Sequence, residues 1–246
     1  KGTIDGKNGI VRKHMMGKRK NFTLRTVLAP GLGLRFGEIG LPERCKEFLF
    51  VKETVTANTY EYYRELFGTQ FANCQISHIK YHSGNRQGTT CKVNASSWKR
   101  HRDSFGPGDE VDRQIHDGDI VLFNRQPTLG ADSMMGYTAK YHDSLVIRLH
   151  LAVTTAHNAD FDGDEGNAHQ IQTIGSRLEL ASFAHVTGRI ISENTNAPAF
   201  GVVFNGPSTA DMLSRDNVML SEEIWEQGYN ACEMPQGQFD TDTFED

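Results

Sequence analysis

Residues 156–167 read AHNADFDGDEGN and set Asp160, Asp162 and Asp164 at alternate positions, with Glu165 directly behind them. Two unit charges 4 Å apart repel by about 1 kcal/mol in water and about 4 kcal/mol at an effective dielectric of 20. Three carboxylates held together therefore need a cation, or a proton on at least one of them. Oxygen-only ligands select hard ions such as magnesium, calcium or manganese over zinc or copper. Gly163 permits a tight backbone curl between Asp162 and Asp164, through which the three side chains can converge on one point.

Other readings compete for this stretch. A bare Asp-x-Asp is most often a solvated acidic turn. An EF-hand calcium loop counted from Asp160 needs Gly at its sixth position, where Glu165 sits, and a bidentate Glu at its twelfth, where Ile171 sits. An aspartate nucleophile of the haloacid-phosphatase kind follows an apolar strand directly, and here His157, Asn158 and Ala159 intervene. Spacing alone favours a metal site and leaves its chemistry open.

The elements that must carry this loop are short. NFTLRTVLA alternates as a strand and stops at Pro30, and DIVLFN (119–124) and SLVIRLHLAVTT (144–155) predict two more, the second ending at the acidic stretch. Helices are expected from Leu41-Pro42-Glu43-Arg44 onward, with Cys45, Phe48 and Leu49 behind the proline, and from Thr56 to Phe67, ending at Gly68. Further helices are expected near 176–186 and 221–227, with a strand-like run at 188–192 and a polar, turn-rich stretch at 84–119. Short strands among scattered helices predict an α+β, mainly β, barrel-centred fold and not a doubly wound sheet.

The 246 residues, 37% of them hydrophobic, suffice for one large domain or two ordinary ones. No run approaches the roughly 20 apolar residues of a membrane span, and KGTIDGKNGI lacks a signal-peptide layout. Cys45, Cys74, Cys91 and Cys232 lie far apart, without zinc spacing, and are read as reduced thiols of an intracellular protein. The net charge of -5 is unevenly spread. Lys1, Lys7, Arg12, Lys13, Lys18, Arg19, Lys20 and Arg25 face the single acid Asp5, so this end should attract polyanions. Acids dominate from Asp211 to Asp246, against the lone base Arg215. The chain reads as a piece of something longer.

The company of the aspartates narrows the reading. In chain order, GKR (17–19) with LRTV (24–27), FNRQPTL (123–129), SMMG (133–136) and NADFDGDE (158–165) resemble the largest subunit of multisubunit DNA-dependent RNA polymerases, closer in flavour to the eukaryotic and large-DNA-virus enzymes than to the bacterial one. GEIGLPERCKEFLFVKETVT (37–56) looks like a further family region, and LSRDNVMLSEEIWE (213–226) like the start of the family's next domain.

The resemblance implies a double-psi β-barrel active-site domain with peripheral helices over residues 1–210, and the truncated beginning of a following helical pore or funnel domain over 211–246. Asp160, Asp162 and Asp164 then hold the catalytic magnesium, with a second ion arriving with the nucleotide. Asn158 and Arg125 inspect the ribose hydroxyls, and Lys18, Arg19 and Arg25 touch phosphates of the template strand and RNA–DNA hybrid. Glu165 is read as a supporting acid, Pro127 as shaping its loop, and Met134 and Met135 as core. The implied activity is addition of ribonucleotides to an RNA 3′ end, by a piece inactive alone. Implied partners are the second-largest subunit, other polymerase subunits, DNA template, RNA–DNA hybrid and ribonucleoside triphosphates, with no membrane. Location is the nucleus for a cellular eukaryote, or host cytoplasm, virion or nucleus for a virus. The competing class is a non-catalytic nucleic-acid-binding or assembly module built on the same barrel.

The sequence departs from the family pattern in places. Gly166 stands where the family usually has Met, Gly130 and Tyr137 where it usually has His, Ile10 where Arg is frequent and His14 where Asn is frequent. None of these touches the three aspartates.

Overall fold

Along β1 (Thr23–Pro30) Leu24 and Leu28 turn toward the core while Arg25 and Val27 face outward, as the alternation in NFTLRTVLA requires. β1 is one stave of a closed six-stranded barrel seen in a computed structural model that describes residues 4, 6, 9–17, 19–82, 86–192, 196–203, 206–215, 218–222 and 224–225. Around the barrel β1 is followed by β10 (Glu165–Gln170), β7 (Ile120–Asn124), β8 (Met134–His142), β2 (Glu38–Pro42) and β9 (Ile147–Leu149), which closes on β1. The β8–β2 and β9–β1 pairs are parallel and the others antiparallel. Closure leaves no unpaired edge and fills the interior with Ile39, Leu41, Phe123, Met135, Tyr137, Ile147 and Leu149. The barrel-centred, mainly β class expected from the sequence is thus borne out.

Between β2 and β7 the chain makes a second antiparallel sheet, ordered β3 (Phe50–Thr54), β6 (Glu110–Gln114), β4 (Ile76–Lys80), β5 (Thr90–Lys92). Its own core joins Val55, Tyr63 and Phe67 from around α1 (Tyr60–Leu66) to Trp98 and Phe105 from around α2 (Trp98–Ser104). A buried ionic network ties this sheet back to the barrel. Arg113 of β6, only 5% exposed, donates to Glu53 of β3 at 3.1 Å and to both carboxylate oxygens of Asp119, just before β7, at 3.0 Å. Glu53 also accepts from Arg177 of α4 (Ile174–Phe183) at 2.7 Å and from the Tyr63 hydroxyl at 2.8 Å.

Several expectations need correction. The helix at Leu41–Arg44 is instead the end of β2 followed by a 3-10 turn, Glu43–Glu47, because the barrel recruits Leu41 and Pro42 as a strand. Residues 144–155 are strand only over Ile147–Leu149. Nδ1 of His150 then accepts the N–H of Ala152, turning the chain into a 3-10 segment, Leu151–Val153, and α3 (Thr154–His157). The stretch 84–119 holds β5, α2 and β6 as well as turns, since β6 buries an arginine and hides its alternation from a hydropathy count. Of the expected strand at 188–192, Gly188 closes a 3-10 segment, Val186–Gly188, and Ile191 makes an isolated bridge to Pro198. Met135 is core, but Met134 is 38% exposed. The helix near 176–186 is α4, and the one over Thr56–Phe67 is the shorter α1.

The chain divides into two compact units, Lys1–Phe200 and Gly201–Asp246. In the second, α5 (Gly206–Leu213) is the helix described, and the expected helix at 221–227 lies partly outside the described residues. Cys45, Cys74 and Cys91 are free thiols, whereas Cys232 lies outside the described residues. No helix among the described residues is long and apolar enough to cross a membrane.

Candidate active site

The aspartate loop hangs between α3 and β10. Asn158 caps α3 with a left-handed backbone (φ 46°, ψ 46°) that Asn tolerates better than most residues, and the N–H of Ala159 bonds back to the carbonyl of Thr154 at 2.9 Å. Gly163 has φ +121°, a conformation that suits glycine alone, so its predicted part in the turn is borne out. At the far end the N–H of Leu28 in β1 donates to the carbonyl of Asp164 at 2.7 Å.

Within the loop Asp164 is the most engaged carboxylate. Arg125 grips it with Nε at 2.8 Å from Oδ2 and Nη2 at 2.9 Å from Oδ1, and the N–H of Asp160 also donates to Oδ2 at 2.8 Å. The Arg125 hydrogen bond, helped by that N–H, holds the Asp164 carboxyl below the usual carboxylate range. Asp160 accepts the N–H of Phe161 through Oδ1 at 2.8 Å, and Asp160 and Asp162 are both exposed. The expected convergence of all three carboxylates is not seen: among the described residues no three acidic, His or Cys side chains stand together as a metal-holding group. Among the described residues the Arg125 guanidinium is the strongest partner Asp164 has. The donor chemistry still fits a hard divalent ion, with carboxylate oxygens on one loop, one of them kept ionised.

Both ends of the loop rest on β7. Phe123 points into the barrel and meets the His157 ring edge to face, with centroids 4.9 Å apart and an 86° interplanar angle. The same ring occupies the space a side chain at Gly166 would need, with Leu28 Cδ2 only 2.8 Å from that position. Gly166, puzzling in sequence, is thereby accounted for. His157, 1% exposed, hydrogen-bonds Tyr137 through Nε2 at 2.6 Å and the Ser133 carbonyl through Nδ1 at 3.1 Å. Burial drives its pKa down to about 4, so the imidazole is neutral near pH 7. Sequence reasoning passed over His157, Tyr137 and Phe123. Their partners are at least 14 positions away along the chain, and no local periodicity reports such a pairing.

Beside β1, β7 and β10 runs an open groove of about 980 Å³, to which Arg19, Lys20 and Arg25 contribute cations and Asn124, Asn167 and Gln172 amides. Arg25 is paired there with Glu165 at 2.8 Å, on an exposed surface. Lys18 lies outside the described residues, and the aspartates, Arg125 and Asn158 do not line the groove. The structure therefore brings Arg125 to Asp164, keeps Asn158 at the loop's entry, and sets Arg19 and Arg25 in the basic groove, which the aspartates do not line.

A closed barrel presenting an acidic loop beside a basic groove defines a class, and the chain belongs to the family described as RNA polymerase Rpb1, domain 2, whose model matches residues 17–186. It is 34% identical over 225 residues to DNA-directed RNA polymerase subunit Rpo1N of Thermoplasma acidophilum, covering 89% of this chain and 25% of that protein. It is 33% identical over 226 residues to the Rpo1N subunit of Methanococcus vannielii, covering 90% of this chain and 25% of that one. It is 36% identical over 200 residues to DNA-directed RNA polymerase II subunit RPB1-A of Trypanosoma brucei brucei, covering 81% of this chain and 11% of that one. The chain thus spans a quarter or less of the length of these relatives.

Proposed function

We propose that this chain forms part of the catalytic centre of a DNA-dependent RNA polymerase, adding ribonucleotides to an RNA 3′ end on a DNA template. The observation that carries the reading is the NADFDGDE loop, slung between barrel elements with Arg125 of the FNRQPTL segment gripping its last aspartate. Asp160, Asp162 and Asp164 would hold magnesium through their carboxylate oxygens. When bound, the metal supplies activation of the RNA 3′-hydroxyl and, with a second ion carried by the nucleotide, neutralisation of the phosphates.

The chain's own residues do the rest. Arg125 and Asn158 hydrogen-bond the ribose hydroxyls, so a deoxyribose leaves one of them without its partner and is penalised. Lys18, Arg19 and Arg25 contact backbone phosphates of the template and hybrid, which positions the strands without reading their sequence. The barrel is of the double-psi kind, and residues 211–246 begin the following helical pore or funnel domain. The piece is inactive alone and works with the second-largest subunit and other polymerase subunits, inside the cell: in the nucleus of a cellular eukaryote, or for a virus in host cytoplasm, virion or nucleus.

One observation favours the other reading, a non-catalytic nucleic-acid-binding or assembly module: the closed Arg125–Asp164 pair, with no three-ligand cluster among the described residues. Asp162→Ala in the full chain, assembled with its partner subunits, decides between them. Loss of RNA extension on a primed template is expected, and extension that survives the change refutes the catalytic reading.

A further inference from the structure

His157 and Tyr137 are polar side chains in the barrel core, 1% and 0% exposed, where Leu and Phe would fill the space without a desolvation cost. What they add is orientation. The Ser133 carbonyl only accepts, so His157 Nδ1 carries the proton and donates to it, and Nε2 is left to accept from the Tyr137 hydroxyl. Turning the ring over loses both bonds, and the Phe123 edge jams it from the side. His157 is the last residue of α3, and the aspartate loop starts at the next residue. The ring therefore fixes where α3 stops, while the Leu28 N–H on the Asp164 carbonyl fixes the loop's other end.

We propose that Ser133, His157 and Tyr137 form a buried hydrogen-bonded chain that anchors the end of α3, and with it the backbone from which Asp160, Asp162 and Asp164 would reach a divalent cation, with His157 and Tyr137 as positioning residues that touch neither metal nor substrate. This rests on the reading of the three aspartates as metal ligands.

The test uses the full chain assembled with its partner subunits and Mn²⁺ alone as probe, titrated by electron paramagnetic resonance without nucleotide. Tyr137→Phe keeps the ring and deletes the hydroxyl. Only the part of that hydrogen bond's contribution that differs between the metal-free and metal-bound loop reaches the binding constant, so Mn²⁺ affinity should fall by up to about fivefold. The metal concentration for half-maximal extension should rise by the same factor, with the nucleotide KM unchanged. His157→Asn, which retains a donor toward Ser133 and loses the Tyr137 partner, should match Tyr137→Phe. A lowered melting temperature with Mn²⁺ affinity unmoved in both variants shows a packing role and overturns the anchoring role. Asp162→Asn separates the two failures: if Mn²⁺ binding survives it, the metal reading falls and the anchoring role with it. If Asp162→Asn abolishes binding while Tyr137→Phe and His157→Asn leave it intact, only the anchoring role falls.

Discussion

Arg125 and Asp164 face each other in a two-pronged pair, Nε to Oδ2 at 2.8 Å and Nη2 to Oδ1 at 2.9 Å, 39 positions apart along the chain. The guanidinium fork matches the carboxylate in a way a lysine ammonium cannot. A guanidinium bound to Asp164 competes with any other cation for that carboxylate, and in the proposed catalytic cycle it is released to the sugar. Arg125→Gln should therefore strengthen Mn²⁺ binding to the nucleotide-free assembled enzyme by a few-fold, by removing a competing positive charge. The same variant should lose part of its preference for ribonucleotides over deoxyribonucleotides. Weaker Mn²⁺ binding in Arg125→Gln would show that the arginine supports the loop and does not compete for it.

The Phe123 ring over Gly166 makes a second prediction. Gly166→Met drives a side chain into space that Phe123 and Leu28 already hold. Overpacking of this kind costs about 1–3 kcal/mol. In a Phe123→Leu background the cost should shrink, because the displaced ring is no longer there. Denaturant unfolding of the two single variants and the double gives the coupling energy, which should be about 1 kcal/mol or more for residues in contact. Strict additivity would mean that Gly166 answers some other constraint.

These two contacts show where sequence reading stops. The aspartate loop was legible because its charges are adjacent in the chain and Gly163 sits among them, and β1 and β7 because each buries alternate residues, whereas α4 buries only Leu180 and leaves Ile174, Leu178 and Phe183 exposed. β8 was missed because Gly136 interrupts its run. A side chain there would meet Leu180 Cγ at 2.9 Å, so the glycine is what lets α4 lie against the strand. β6 was missed because its inward face carries Arg113, a charged residue made acceptable in a core by its ion pairs with Glu53 and Asp119 and its hydrogen bonds to the Gln114 carbonyl and His116. Partners such as these, and His157 with Tyr137, are chosen by the barrel's closure, which the alternation of residues along one strand does not encode.

The Arg113 network yields the third prediction. Arg113→Met leaves Glu53 and Asp119 without their shared cation, though Arg177 still reaches Glu53 at 2.7 Å. Removing one partner of a buried ion pair costs about 3–5 kcal/mol. The pH dependence follows from Glu53. Burial alone would raise its pKa, but the bonds and charge of Arg113, with Arg177 and Tyr63, outweigh that and hold it below its ordinary 4.5. A depressed carboxyl pKa means stability fully present above the unfolded value and lost as pH falls through the folded one. Wild-type melting temperature should therefore drop as pH is lowered below 4.5, and Arg113→Met should show a shallower drop from an already lower plateau. An unchanged acid profile in Arg113→Met would remove Arg113 from the cause of the Glu53 shift.

The basic groove carries the last prediction. Phosphate contacts release counterions, so each lost contact lowers the slope of log affinity against log salt by nearly one unit. If Arg19 and Arg25 both touch phosphates, replacing either by Ala in the assembled enzyme should weaken RNA–DNA hybrid binding for all sequences alike and reduce that slope. Their effects should differ in size, because Arg25 shares its charge with Glu165 at 2.8 Å and must give up that partner to bind phosphate. The Arg25–Glu165 pair is exposed, worth about 0–1 kcal/mol, so the penalty is small but measurable. Glu165→Gln should tighten hybrid binding up to a few-fold at low salt, and the gain should vanish in an Arg25→Ala background. A Glu165→Gln gain that persists without Arg25 would mean the glutamate repels the backbone directly, and the pair would then have no part in setting affinity.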